Sequence, residues 1–106
     1  MTQASPPQTL FVYGTLRCPD CLQSILGRTA SLTPDLLQGF RRDKLRLGKA
    51  RYPVVYPDPG ATVEGFRIEV NDHELALLDE YETDAYRRER VCLESGLEAW
   101  VYRGAS

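Results

Sequence analysis

Only one stretch of this chain, residues 72–82, carries a strong helical signature, and it stands among segments that read as strands. That ratio constrains the fold more than any other feature. Repeating β-α-β units need a helix between each pair of parallel strands, so a doubly wound sheet is excluded. The helix itself is well marked: Asn71 is a good N-cap, and Glu74 stands three positions later, at the capping-box spacing. A shorter helix is predicted over 19–26, with Pro19 in its first turn and Gly27 as its stop.

The strand-like segments surround these two helices. Residues 9–13 (TLFVY), bounded by Gly14, are β-branched and aromatic and read as a buried strand. Residues 36–47 predict a second strand with a break at Gly39. Residues 52–56 (YPVVY) predict a short strand in which proline, near its start, marks an edge or an entry position. Asp58-Pro59-Gly60 then signals a turn. Residues 61–70 alternate, with Phe66, Ile68 and Val70 on one side and Gly65 as a bulge site. Residues 86–94 and 97–103 form a final strand pair, joined through Ser95-Gly96 as a two-residue loop. The expected architecture is α+β: a small, mixed, mostly antiparallel, barrel-like sheet flanked by short helices. It forms a single domain over 9–106 behind a flexible leader over 1–8.

Composition narrows the partners. With 106 residues the chain suits one core, and 42% apolar residues are ordinary for a folded domain. The net charge of −2, with acids and bases interleaved, lacks the basic footprint of a nucleic-acid binder. The one basic run, RRDKLR at 41–46, reads as the solvated face of a strand. No apolar stretch approaches the ~20 residues that span a bilayer, so no membrane association is expected. The opening MTQASPPQT lacks the basic start and hydrophobic centre of a signal peptide. Three cysteines, an odd number, make no disulfide framework and point to a reducing, cytoplasmic setting.

Glu82 is the first candidate for chemistry. At 100° per residue from Leu75, Leu78 falls at about −60° and Glu82 at about −20°, so this carboxylate shares the core-facing side of its helix. Leu77 and Tyr81 extend the apolar arc, while Asp79 and Glu80 are assigned to the opposite, polar side. Burying an unpaired charge costs several kcal/mol, and the C-terminal end of a helix disfavours negative charge. Both effects would raise the Glu82 pKa toward the range useful for general acid/base work. The alternative is a helix that frays before Glu82 and releases the side chain to water.

Two other features invite chemistry. At Tyr13-Gly14-Thr15-Leu16 a strand turns sharply at glycine, where successive N–H groups can form an anion-binding nest; an ordinary turn is the alternative. Cys18-Pro19-Asp20-Cys21 is a C-x-x-C between a strand and a helix, the setting of thiol redox motifs. Its helix ends at Gly27 after about two turns, short for a thioredoxin-like unit. A zinc site needs about four ligands, which Cys92 and the single His73 would complete only by long-range coincidence. Incidental thiols and a solvated His73 are the simpler reading, and no metal is expected. Tyr86, Trp100 and Tyr102 read as core packing. Tyr86 differs in following Glu82 by four residues, so its hydroxyl can return to the same pocket.

Three segments together resemble the gamma-glutamylcyclotransferase-like family, of the gamma-glutamylamine cyclotransferase type. FVYGTLR (11–17) looks like its N-terminal substrate loop. YPVVYPDPGATVEGFRIEV (52–70) is similar to its central tyrosine-proline strand and the valine-x-glycine strand that follows. LLDEYETDAYRRERV (77–91) resembles its leucine-aspartate-x-x-glutamate-glycine…tyrosine-x-arginine segment. One departure is Thr83, where the family has glycine after its catalytic glutamate. The resemblance implies a barrel-like sheet with a cavity at its strand ends and Glu82 as catalytic acid/base. It also implies that Tyr13, Gly14, Thr15 and Leu16 cradle a γ-glutamyl group through backbone N–H groups, and that Tyr86 lines the cavity. Neither cofactor nor metal is required. The implied reaction converts a small-molecule γ-glutamyl amine or amide to 5-oxoproline plus free amine. The alternatives are a non-catalytic small-ligand-binding member of the same fold and, behind it, a C-x-x-C thiol redox protein.

Overall fold

The first strand has no solvent face. β1 (Gln8–Val12) sends Leu10 and Val12 toward the helices and Phe11, with the following Tyr13, toward the concave interior; all four are buried. A central strand covered on both faces has to read as a continuous apolar run, which is why TLFVY does not alternate. The computed structural model describes residues 8–13, 19–47, 50–82 and 86–104, with the side chains at 19, 21, 45–47, 50–52 and 82 outside that description. Of the expected leader, Gln8 belongs to β1, where its amide oxygen accepts from Trp100 Nε1 at 2.6 Å; residues 1–7 lie outside the described residues.

Around β1 the described strands form one mixed sheet in the order β2-β3-β1-β5-β4. β1 runs antiparallel to β3 (Ala50–Val70), with Leu10 opposite Ile68. It runs parallel to β5 (Glu98–Gly104), with Leu10 opposite Trp100. β2 (Thr33–Leu47) pairs with β3, and β4 (Tyr86–Cys92) with β5, both antiparallel. The sheet curls into a half-barrel. Past the end of β4, Glu94 N–H reaches the Leu36 carbonyl on β2 at 2.9 Å, and Ser95 Oγ donates to Asp35 at 2.6 Å. The two edge strands thus meet at this end, and the α+β, barrel-like expectation holds.

Strand pairing and close packing explain the departures from expectation. Residues 52–56 and 61–70 belong to one long strand instead of two. Opposite it, Gln38 pairs with Thr62 and Phe40 with Pro57, so Gly39 alone faces residues 58–61. Gly39 takes φ +83°, open to glycine at little cost, and Asp58 Oδ1 caps the bulged segment by accepting from Gly60 N–H at 3.2 Å. The expected turn residues therefore act within a strand. Gly65, expected as a bulge, pairs in register with Asp35. It is glycine because a Cβ would lie against the Val12 carbonyl and 2.6 Å from Phe11 Cζ. The final hairpin turns through 94–96, not through two residues: Gly96 N–H bonds Leu93 O, Leu93 N–H bonds Leu97 O, and Gly96 has φ +93°. That is the three-residue loop closed by a left-handed glycine.

Two helices cover the convex face. α1 (Pro19–Leu26) ends as expected, with Gly27 at φ +73° and its N–H on the Gln23 carbonyl. α2 (Asp72–Glu82) begins with a complete capping box: Glu74 N–H donates to Asn71 Oδ1 at 2.8 Å, and Asn71 N–H to Glu74 Oε1 at 3.0 Å. Leu75 and Leu78 are buried against Leu10, Leu22, Ile68 and Val70, each such side chain stabilising the fold by about 1.5–3 kcal/mol. Among the described residues, no helix is long and apolar enough to cross a membrane.

Candidate functional site

The end of the sheet away from the final hairpin collects the predicted residues that the structure describes. Because β5 runs parallel to β1 and β4 antiparallel to β5, three points come to one end. They are Tyr13 after β1, Gly104 at the end of β5, and Tyr86 at the start of β4. Tyr13 is buried and its hydroxyl donates to the Tyr102 carbonyl. Tyr86 reaches sideways: its hydroxyl donates to Pro53 O on β3 at 2.6 Å. Beside it the Tyr56 ring packs so closely on Gly104 that a Cβ there would stand 2.7 Å from Tyr56 Cε1. The first half of β3 therefore arches over this end, and Tyr13, Tyr56, Tyr86 and Tyr102 gather around it.

Glu82 is the last residue of α2, so the helix does not fray before it. The helical phase sets position 82 on the face that Leu75 and Leu78 bury; its side chain lies outside the described residues. Gly14, Thr15, Leu16, Cys18 and Thr83 also lie outside the described residues, and Cys21 is described only as part of the α1 backbone. His73 is exposed, as expected, and Arg41, Arg42 and Lys44 of the basic run are exposed too.

One assignment on α2 needs correction and another an addition. Tyr81 is 49% exposed and takes no part in the core. Asp79 is exposed, as assigned, with 45% of its side chain accessible, but it is not without partners. Four residues from Leu75 is about 40° on the helix, a flanking position. There Asp79 Oδ1 accepts from the Tyr102 hydroxyl at 2.8 Å, and Arg88 Nη1 stands 3.5 Å from Asp79 Oδ2. Arg88 in turn lies over the Trp100 ring, 4.5 Å from its centroid. Its Nη1 is buried and makes no hydrogen bond among the described residues. Tyr102 and Arg88 carry a signal only in three dimensions: opposite each other on the final strand pair, they look in sequence like core and surface.

Elsewhere, cavities of about 580 and 450 Å³ flank Arg67, the first between β2, β3 and the final hairpin. In it Arg67 Nη1 meets Asp35 Oδ2 at 2.7 Å. Burial pushes Asp35 up, but hydrogen bonds from Ser95, Leu36 N–H and Arg67 outweigh it and hold the carboxyl below its usual range. The bond from Arg28, ahead of the capping contact with Asn71, likewise holds Glu74 low against its burial. These clusters tie elements together on the flanks of the sheet.

Residues 10–106 match the family described as gamma-glutamyl cyclotransferase, AIG2-like. The chain is 37% identical over 83 residues to AIG2-like protein C of Arabidopsis thaliana, covering 77% of this chain and 47% of that protein. It is 36% identical over 93 residues to Protein AIG2 C of the same plant, covering 86% and 55%. The chain thus spans about half the length of the curated relatives it matches. A solution structure from Arabidopsis thaliana superposes with a TM-score of 0.83 at 29% identity, over 99% of this chain and 67% of that one. A solved gamma-glutamyl cyclotransferase shares the fold, with a TM-score of 0.75 at 20% identity over 93% and 67% of the two chains.

Proposed function

Because this chain belongs to the gamma-glutamyl cyclotransferase, AIG2-like family, we propose that it converts a γ-glutamyl amine or amide to 5-oxoproline and a free amine. The observation that carries this reading is the continuity of α2 through Glu82, four residues before β4 starts at Tyr86. Helical phase and chain connectivity then favour a carboxylate at the strand end that carries Tyr13.

The reaction asks little of a protein beyond that. The substrate's α-amine attacks its own γ-carbonyl, the five-membered lactam forms, and the C–N bond to the departing amine breaks. A nucleophile tethered to its electrophile reaches effective molarities of order 10⁵–10⁸ M, so no protein nucleophile is required. Glu82 accepts the proton of the attacking amine and returns it to the leaving nitrogen. Backbone N–H groups of residues 14–16 bind the substrate carboxylate or the developing oxyanion. Neither metal nor cofactor enters the mechanism.

The test is 5-oxoproline release across a panel of γ-glutamyl amines and γ-glutamyl peptides. Release from at least one class, at a rate above spontaneous cyclisation, supports the reading. Tight binding of panel members with no release from any of them supports the ligand-binding alternative instead.

A further inference from the structure

We infer that Asp79 and Tyr102 form a positioning pair that sets the last turn of α2 against the strand end carrying Tyr13. The inference rests on Glu82 being the acid/base. Tyr102 is 4% exposed and contacts both candidate segments: its carbonyl accepts from Tyr13, and its hydroxyl donates to Asp79 at 2.8 Å. Asp79 stands three residues before Glu82, one turn away, where neighbouring side chains of a helix are about 5–6 Å apart. Holding Asp79 therefore adds to the burial of Leu75 and Leu78 in setting the turn that ends at position 82.

The core anchors α2 as far as Leu78, which is fully buried, and Asp79 is exposed with Glu80 and Tyr81 beyond it. The final turn of α2 contains no basic residue. Arg88 lies beside the pair, its guanidinium over the Trp100 ring and its Nη1 3.5 Å from Asp79 Oδ2. An active-site acid displaced by about 1 Å can lose about 10²-fold in rate. A carboxylate held one turn away, by a buried hydroxyl on the strand neighbouring Tyr13, is suited to preventing that displacement.

The experiment compares wild type, Asp79→Asn, Asp79→Ala, Tyr102→Phe, the Asp79→Ala/Tyr102→Phe double variant and Glu82→Gln. Release of 5-oxoproline is followed against substrate concentration, on the substrate class that wild type turns over, to separate kcat from KM. Circular dichroism normalises each rate to folded protein. The pair predicts that Asp79→Ala and Tyr102→Phe each lower kcat by about 10–10²-fold while KM stays within about threefold. Asp79→Asn keeps an acceptor for the Tyr102 hydroxyl and should recover most of the loss. The double variant should be no slower than the worse single one, because both remove the same contact. Wild-type kcat in Asp79→Ala and Tyr102→Phe alongside an inactive Glu82→Gln overturns the pair and leaves the acid/base reading intact. Fully additive losses overturn it as well. Wild-type activity in Glu82→Gln overturns both.

Discussion

The Tyr86 hydroxyl on β4 donates a 2.6 Å hydrogen bond to the Pro53 carbonyl on β3, bridging two strands that are not neighbours in the sheet. The bond brings the start of β4, four residues after the end of α2, under the arch of the tyrosine-proline segment. Two of the three sequence segments that resemble the cyclotransferase family are thereby joined. Tyr13, bonded to Tyr102, brings the third to the same end.

Removing that hydroxyl tests the bridge. Tyr86→Phe leaves the Pro53 carbonyl without this donor and should destabilise the domain by about 1–2 kcal/mol. Urea denaturation should show the loss as a lower midpoint at unchanged m-value. A midpoint equal to wild type would show that the bridge contributes nothing to the fold.

Gly65 tests the core. Its missing Cβ makes room for the Phe11 ring and the Val12 carbonyl, and a backbone carbonyl cannot be moved aside as a flexible side chain can. Gly65→Ala should cost about 1–3 kcal/mol, the ordinary range for overpacking, through displacement of β1 from β3. For a domain of this size that lowers Tm by about 4–8 °C per kcal/mol. An unchanged Tm would contradict the packing described.

Much of this architecture was legible in the sequence, because it is set by local rules. The capping box at Asn71 and Glu74, the stop at Gly27 and the alternation of Phe66, Ile68 and Val70 are short-range patterns, and each appears where expected. Long-range events were not legible. Asp58-Pro59-Gly60 looks like a turn, yet the β2 partner holds the strand continuous and absorbs those residues as a bulge. Gly65 looks like a bulge, and only the approach of Phe11 from a different strand shows why glycine is there. Asp79 is solvent-exposed, as it looks in the sequence, and only the fold shows that Tyr102, 23 residues away, donates to it. The site shows the same limit: Glu82 stood out through helical phase, whereas Tyr102 and Arg88 become relevant only once β4 and β5 are paired.

Acid should weaken the domain from two sites. Arg28 beside Glu74, and Ser95, Leu36 N–H and Arg67 around Asp35, hold both carboxyls below their usual range in the folded state. A carboxyl depressed by folding contributes stability above its unfolded pKa, about 4.3 for Glu and 3.9 for Asp, and loses it as pH falls through the folded value. The thermal midpoint should therefore change little in response to these groups between pH 7 and 5, then fall below about pH 4. Glu74→Gln should lower the midpoint at pH 7 and flatten the acid decline. A Glu74→Gln protein with the wild-type acid profile would remove Glu74 from this account.

The most direct measurement is the rate of 5-oxoproline release by Glu82→Gln, normalised to folded protein by circular dichroism. Glutamine keeps the size and hydrogen-bonding shape of the side chain and cannot carry the proton, so the rate should fall by about 10²–10⁴-fold, as expected for loss of general acid/base catalysis. The position shares the helix face of buried Leu75 and Leu78, where charge is disfavoured, so the variant should be at least as stable as wild type. Glu80→Gln, at an exposed position on the same helix, should retain wild-type turnover. A folded Glu82→Gln protein that releases 5-oxoproline at the wild-type rate would contradict the mechanism.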